Sequence, residues 1–215
     1  MGRFIGIEID SARLRVAEIE ENGKNQRMLQ CFSFPVPQGM VEDGEIRDTG
    51  NVADLLLDSL EAHNIRTKKV FFVAGSSRIA NRRLKIPMVK KKQIQSLLEE
   101  NSSEYFPIDL SKYVLSYTIM REITEPAEGN KPAMRQYVLM ACAAPKSIST
   151  SCRETAELAG LTMIGIGYTG DSVYQAVKEK YASGVHLLAK IEMDHSTISI
   201  IRDGDLALQR TVSYG

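Results

Sequence analysis

Four carboxylates sit at two matching places in this chain. Glu8 and Asp10 lie in Ile5-Gly6-Ile7-Glu8-Ile9-Asp10-Ser11-Ala12, and Glu192 and Asp194 lie in Ala189-Lys190-Ile191-Glu192-Met193-Asp194-His195-Ser196-Thr197. Both stretches read I-E-[IM]-D, then small or polar residues, then an apolar–polar alternation that marks a half-buried strand. A tight turn of small residues can bring backbone N–H groups against a phosphate. A carboxylate beside it could hold Mg²⁺ or orient an attacking water. Two facing copies would clamp a nucleotide triphosphate from both sides. Ser11, Ala12, Ser196 and Thr197 are small enough for that approach, and His195 is the one histidine placed in such a turn. Against this chemistry, Asp10 and Asp194 stand where a phosphate needs a glycine N–H and no like charge. Two unit anions about 4 Å apart repel by about 4 kcal/mol at an effective dielectric of 20. An ordinary hairpin whose aspartate bonds the local turn amides accounts for the same residues.

A second pattern competes. Gly165-Ile166-Gly167-Tyr168-Thr169-Gly170 is a literal G-x-G-x-x-G between a strand and a helix, and Glu192 follows at the spacing of a ribose-binding acid. A dinucleotide fold normally leads with this unit and repeats it, whereas here it comes late and hairpins follow. Glycines that allow a tight turn explain it more simply. His63, His186 and His195 have no ligand spacing between them. Lys90-Lys91-Lys92, with Arg82, Arg83 and Lys85 nearby, reads as a solvated face or a contact for anionic headgroups. No Ser/His/Asp or Cys/His set supports nucleophilic catalysis, so no catalytic or metal-binding residue is assigned.

Composition bounds the rest. The chain has 215 residues, 43% of them hydrophobic, with 27 basic and 27 acidic side chains. That balance gives no nucleic-acid footprint. Three scattered cysteines, Cys31, Cys142 and Cys152, form neither a zinc site nor a disulfide framework and read as small buried thiols of a reduced compartment. No signal peptide opens the chain, and no apolar run approaches the roughly 20 residues that span a bilayer.

The elements that must position the two motifs follow in order. Strands are expected over 3–9, 12–21 and 25–34, with a type I′ turn at Asn22-Gly23. A turn-rich connection covers 39–48. A helix over 51–63 is capped by Thr49 or Asn51, and Val70–Ala74 is a short buried strand. A polar helix over 91–104 precedes strands over 113–123 and 134–143, joined by an exposed loop at 124–133. Pro145 opens a helix that Gly160 ends. A strand over 161–166, a helix over 169–181 and a strand over 185–193 lead into the second motif, its Asp203-Gly204 turn and a strand over 206–212. Strands and helices in this order make a mixed α/β fold. A last hairpin cannot bury both its faces alone, so the chain reads as a truncated fragment.

Glu8-x-Asp10-Ser11-Ala12 stands where the actin superfamily has its first phosphate hairpin, D-x-G-[ST]-[ST]. Val70–Ser77 followed by Arg82-Arg83-Leu84-Lys85-Ile86-Pro87, then Glu99, Glu100 and Tyr105–Ile108, Ala159-Gly160-Leu161 and Arg210–Gly215 complete an ordered set of segments. Through them the chain resembles the N-terminal half of the PilM family of type IV pilus assembly, actin-like proteins related to FtsA. The resemblance implies an actin-like (ribonuclease H-like) mixed sheet with helices. Residues 1–86 and 163–186 would form the first actin-like subdomain. Residues 87–162 would form an inserted small α/β subdomain, and 187–215 the first strands of an incomplete second one. It implies ATP and Mg²⁺ as the family's cofactors, with a degenerate site here at Glu8, Asp10, Ser11, Ala12, Glu192, Asp194, His195, Ser196 and Thr197 and no nucleotide bound by this fragment. It also implies a cytoplasmic scaffold, peripheral to the inner membrane, docked on the N-terminal cytoplasmic tail of a PilN-like membrane protein near Ile86–Tyr105. Three alternatives stay open: an active actin-like ATPase, a relative of FtsA or of the type II secretion protein GspL, and a dinucleotide enzyme using Gly165, Gly167 and Gly170.

Overall fold

The computed structural model describes residues 2–23, 25–126 and 133–214. Alternating apolar residues build an antiparallel meander, β1 (Gly2–Ile9), β2 (Arg13–Asn22) and β3 (Asn25–Pro35), with Ile5, Ile7, Ile9, Leu14 and Val16 buried. Asn22 pairs with Asn25 inside the ladder rather than sitting in the turn, which shifts the expected I′ position by one residue. The connection after β3 holds a small hairpin, β4 (Val41–Glu42) and β5 (Glu45–Ile46), turned by Asp43 and Gly44, both at positive φ. The Asp-Gly pair is the signal for it. The helix α1 (Thr49–Ala62) is capped by Asp48, whose carboxylate accepts from the Asn51 N–H at 3.1 Å; neither Thr49 nor Asn51 is the cap.

The strand β6 (Lys69–Ala74) runs parallel to β1, and the next strand, β7 (Ala80–Pro87), leaves this sheet. Asn101 breaks the expected 91–104 helix into α2 (Ile94–Glu100) and α3 (Ser102–Tyr105). Then come β8 (Tyr113–Glu125), β9 (Met134–Pro145), α4 (Lys146–Leu158), β10 (Thr162–Tyr168) and α5 (Thr169–Val177). The expected 124–133 loop falls mostly on residues outside those described. The chain continues with β11 (Val185–Ile191), β12 (Ser196–Arg202) and β13 (Asp205–Val212). Among the described residues, no helix is long and apolar enough to cross a membrane.

Three main sheets result: β10-β6-β1-β2-β3, β7-β9-β8 and β11-β12-β13. Residues 3–34 and 187–212 therefore lie in different sheets. The second sheet runs from Ala80 to Pro145, and α4 after it packs on α1 and buries Ile148, Cys152 and Ala156 in the first sheet's core. Arg83 and Arg121 both reach Asp205, at 3.2 and 2.7 Å, and tie the second sheet to the third. A hydrogen-bond chain joins all three sheets. Asn81 donates to the Tyr168 hydroxyl at 2.9 Å, Tyr168 donates to Gln209, and Gln209 donates to Ser199 at 2.8 Å. The third sheet turns Leu187, Ile191, Ile198 and Leu208 outward to solvent and keeps Thr197, Ser199, Gln209 and Thr211 buried.

Gly165 and Gly167 lie within β10, not in a turn. A Cβ at either position would stand 2.8 or 2.9 Å from the Phe71 ring on the neighbouring strand. Their missing side chains make room for that ring, which corrects the tight-turn explanation. The dinucleotide alternative also fails on topology. Glu192 follows β11, which pairs antiparallel with β12 in another sheet, whereas a ribose-binding acid ends the parallel neighbour of the glycine strand. Among the cysteines, Cys31 is exposed, contrary to expectation, while burial pushes the Cys142 and Cys152 thiols up to about 12.

Gly167→Val should therefore act through packing. Forcing a branched side chain against Phe71 is expected to cost about 1–3 kcal/mol in urea unfolding, and Phe71→Leu in the same chain should recover part of that loss.

Candidate functional site

The two repeated hairpins face each other. Each closes with the same bond: the Asp10 N–H donates to the Arg13 carbonyl at 3.2 Å, and the Glu192 N–H donates to the His195 carbonyl at 2.9 Å. The last ladder pairs are Ile9–Leu14 and Ile191–Ser196. Equivalent positions are thus Asp10 and Glu192, and Glu8 and Lys190. The I-E-[IM]-D motifs are offset by two residues from the structural equivalence, a shift that preserves which face each side chain takes. Ser11 and Ala12 occupy the first turn as expected. Ser196 and Thr197 do not occupy the second. They begin β12, where the Ser196 hydroxyl donates to the Tyr214 carbonyl at 2.6 Å and Thr197 bonds Thr211 at 2.9 Å.

Between the turns lies an ion-pair cluster. Arg15 reaches Glu192 at 2.9 Å, Glu8 at 3.2 Å and Asp10 at 3.6 Å. Lys190 reaches Glu8 at 2.8 Å and also pairs with Glu192. Arg15 and Lys190 were not among the expected site residues. Arg15 had a signal, because it stands directly across the β1–β2 ladder from Glu8. Lys190 becomes visible only once the two hairpins face each other.

The carboxyls are tuned by this company. Asp10 and Glu192 are only 3% and 7% exposed. Burial raises the Asp10 carboxyl above its ordinary 3.8, and its hydrogen bond to Glu192 and that group's charge raise it further, with Arg15 opposing. Burial also pushes Glu192 up, but hydrogen bonds from Arg15, Lys190 and Asp10 outweigh it and hold Glu192 at about 2. The pair thus splits, with Asp10 pushed up and Glu192 held down. Asp194 turns away from the cluster to His195, with Oδ1 at 2.6 Å from Nδ1. His195 is buried, and a Cβ on Gly75 would stand 2.6 Å from its Nε2. On the other side of that loop, a Cβ on Gly44 would stand 2.1 Å from the Gly75 carbonyl oxygen. Asp43 clasps the loop, accepting from the Ser77 N–H at 2.6 Å and pairing with Arg78 at 3.1 Å.

Arg15 and Lys190 already serve Glu8, Asp10 and Glu192, so an anion brought near them would also meet those carboxylates. Among the described residues there is also no cluster of three or more metal-ligating side chains.

A separate groove of about 600 Å³ runs between the first and second sheets, lined by Val114–Thr118 on one side, Gly165–Tyr168 on the other, and Ile148 and Arg153 of α4. It does not follow Ile86–Tyr105, where the resemblance put the tail's surface.

A sequence model described as the type IV pilus assembly protein PilM matches residues 6–215. The chain belongs to the PilM family. No curated protein sequence matches it. Among solved structures it is similar to a PilM–PilN type IV pilus biogenesis complex, at 17% identity and a TM-score of 0.81 over 97% of this chain. The chain spans 61% of that relative's length. It is also similar to a Bacteroides thetaiotaomicron protein with an actin-like ATPase fold (14% identity, TM-score 0.54, covering 99% of this chain and 70% of that one). A third likeness is to the cytoplasmic domain of EpsL, an inner-membrane component of the Vibrio cholerae type II secretion system (10% identity, TM-score 0.53, covering 99% and 71%). The actin-like fold is common to these, and the family match separates this chain from the secretion relative.

Glu192→Gln removes the more buried of the two carboxylates that both cations share. It is expected to cost about 1–3 kcal/mol at neutral pH, less than a fully buried pair because Arg15 is partly solvated. A depressed carboxyl contributes stability in full above its ordinary 4.5 and loses it as pH falls toward about 2. The wild-type advantage over Glu192→Gln, read by urea unfolding, should narrow across that window.

Proposed function

We propose that this chain serves type IV pilus assembly as an actin-like cytoplasmic scaffold that works without nucleotide. The observation that carries this reading is the ion-pair cluster of Arg15, Lys190, Glu8, Asp10 and Glu192. It occupies the place between the hairpins where an actin-like protein would hold phosphates, and it satisfies its own charges. Glu8, Asp10, Ser11, Ala12, Glu192, Asp194 and His195 are then a degenerate nucleotide site whose present role is to hold two hairpins together; Ser196 and Thr197 support it from β12. On this reading neither ATP nor Mg²⁺ is bound by this chain.

Docking uses the groove. Its lining is largely apolar, with charged groups at Arg153 and Asp171 and polar ones at Asn81, Ser116, Ser149 and Gln209, which suits an extended peptide. The occupant we assign is the N-terminal cytoplasmic tail of a PilN-like inner-membrane protein, since the relative of known structure is a complex with PilN. The chain would thus sit at the inner face of the membrane through its partner.

Calorimetry tests both halves. Titration with Mg·ATP should give no binding heat, and a synthetic tail peptide should bind. Val114→Glu, which places a charge on a half-exposed groove residue, should weaken peptide binding at least about tenfold, or roughly 1.4 kcal/mol, with unfolding stability unchanged within about 0.5 kcal/mol. Saturable Mg·ATP binding abolished by Glu192→Ala would instead establish the active-ATPase alternative.

A further inference from the structure

Five consecutive residues of β8, Val114–Thr118, line the groove, and four consecutive residues of β10, Gly165–Tyr168, line its other side. Successive side chains of a strand point to opposite faces. A wall made of consecutive residues is therefore a strand edge and not a sheet face. The topology agrees, because β8 is outermost in β7-β9-β8 and β10 is outermost in β10-β6-β1-β2-β3. Beyond the ladder with β9, no backbone group of β8 bonds another backbone group among the described residues. The Gln95 side chain alone reaches in, donating to the Leu115 carbonyl at 3.2 Å.

Free edges in natural sheets are usually blunted by charge, proline or a bulge. Val114-Leu115-Ser116-Tyr117-Thr118 carries no charge and no proline, and its ladder with β9 stays regular until after Ile119. β10 is blunted by comparison, with a register shift after Met163 and two glycines. Of the two edges, β8 is the one left open.

We propose that β8 takes the docked peptide as an added strand. The segment's backbone N–H and C=O groups pair with the free ones of Val114–Thr118, and its alternate side chains enter the groove toward Ile148 and Met163. This rests on the groove being the seat of the partner's tail and adds how the tail is held. Strand addition draws affinity from main-chain hydrogen bonds and specificity from every second side chain. The edge thus selects an extended, apolar segment with no proline in the paired stretch.

The test uses the full chain and a synthetic peptide of the PilN-like tail, N-methylated at one backbone nitrogen at a time, with affinity read by fluorescence anisotropy. Methylation at alternate positions should weaken binding by about tenfold or more, and at the intervening positions by no more than about twofold. Hydrogen exchange should slow in Val114–Thr118 when the unmodified peptide binds. Binding without the period-two pattern overturns strand addition and leaves docking standing. Protection confined to Gly165–Tyr168 overturns the choice of β8. An unmodified peptide that does not bind removes the docking reading and this inference together.

Discussion

The closure of the two hairpins on each other depends on the bond from Arg15 to Glu192. It runs from the first hairpin to the second, beside the Lys190–Glu8 pair that joins the same two sheets. Without it, Asp10 and Glu192 would be two buried carboxyls confronting each other. With it and Lys190, Glu192 is held as the charged partner, and a repulsive contact becomes a cohesive one.

The remaining joints serve that closure from the sides. The Asn81–Tyr168–Gln209–Ser199 chain stitches three sheets through polar groups. Asp205 gathers Arg83 and Arg121 at the far corner. Burial pushes the Tyr168 phenol up, so it stays a neutral hydroxyl that can donate and accept at once. Between these joints the groove stays open, its walls formed by the strands that have no further neighbour.

Much of the fold was legible in the sequence because alternation is a local property. The strands β1, β2 and β12 show their buried face in every second residue, and Asp203-Gly204 marks its turn by residue type, both φ values being positive. The mixed α/β class followed from the order of such segments, and the actin-like reading from the family resemblance. What was illegible depends on distant partners. The strand β7 was not expected, because the charged stretch Arg82–Lys85 has no clear strand alternation until β9 pairs with it. The helix after Pro145 belongs to the first core because of Ile148 and Cys152, whose contacts lie on α1's side of the molecule. At the candidate site the carboxylates were found by their repeat, yet the repeat misaligned them by two residues. The two cations were missed because basic residues facing carboxylates within and between hairpins have no motif of their own.

Where Gly44, Gly75 and His195 meet, three segments touch with no side chain between the first two. Backbone against backbone has no rotamers to absorb a displacement. The β4–β5 hairpin and the loop after β6 therefore sit at a separation that leaves no room for a side chain on Gly44, and the His195 ring closes over the other side of Gly75.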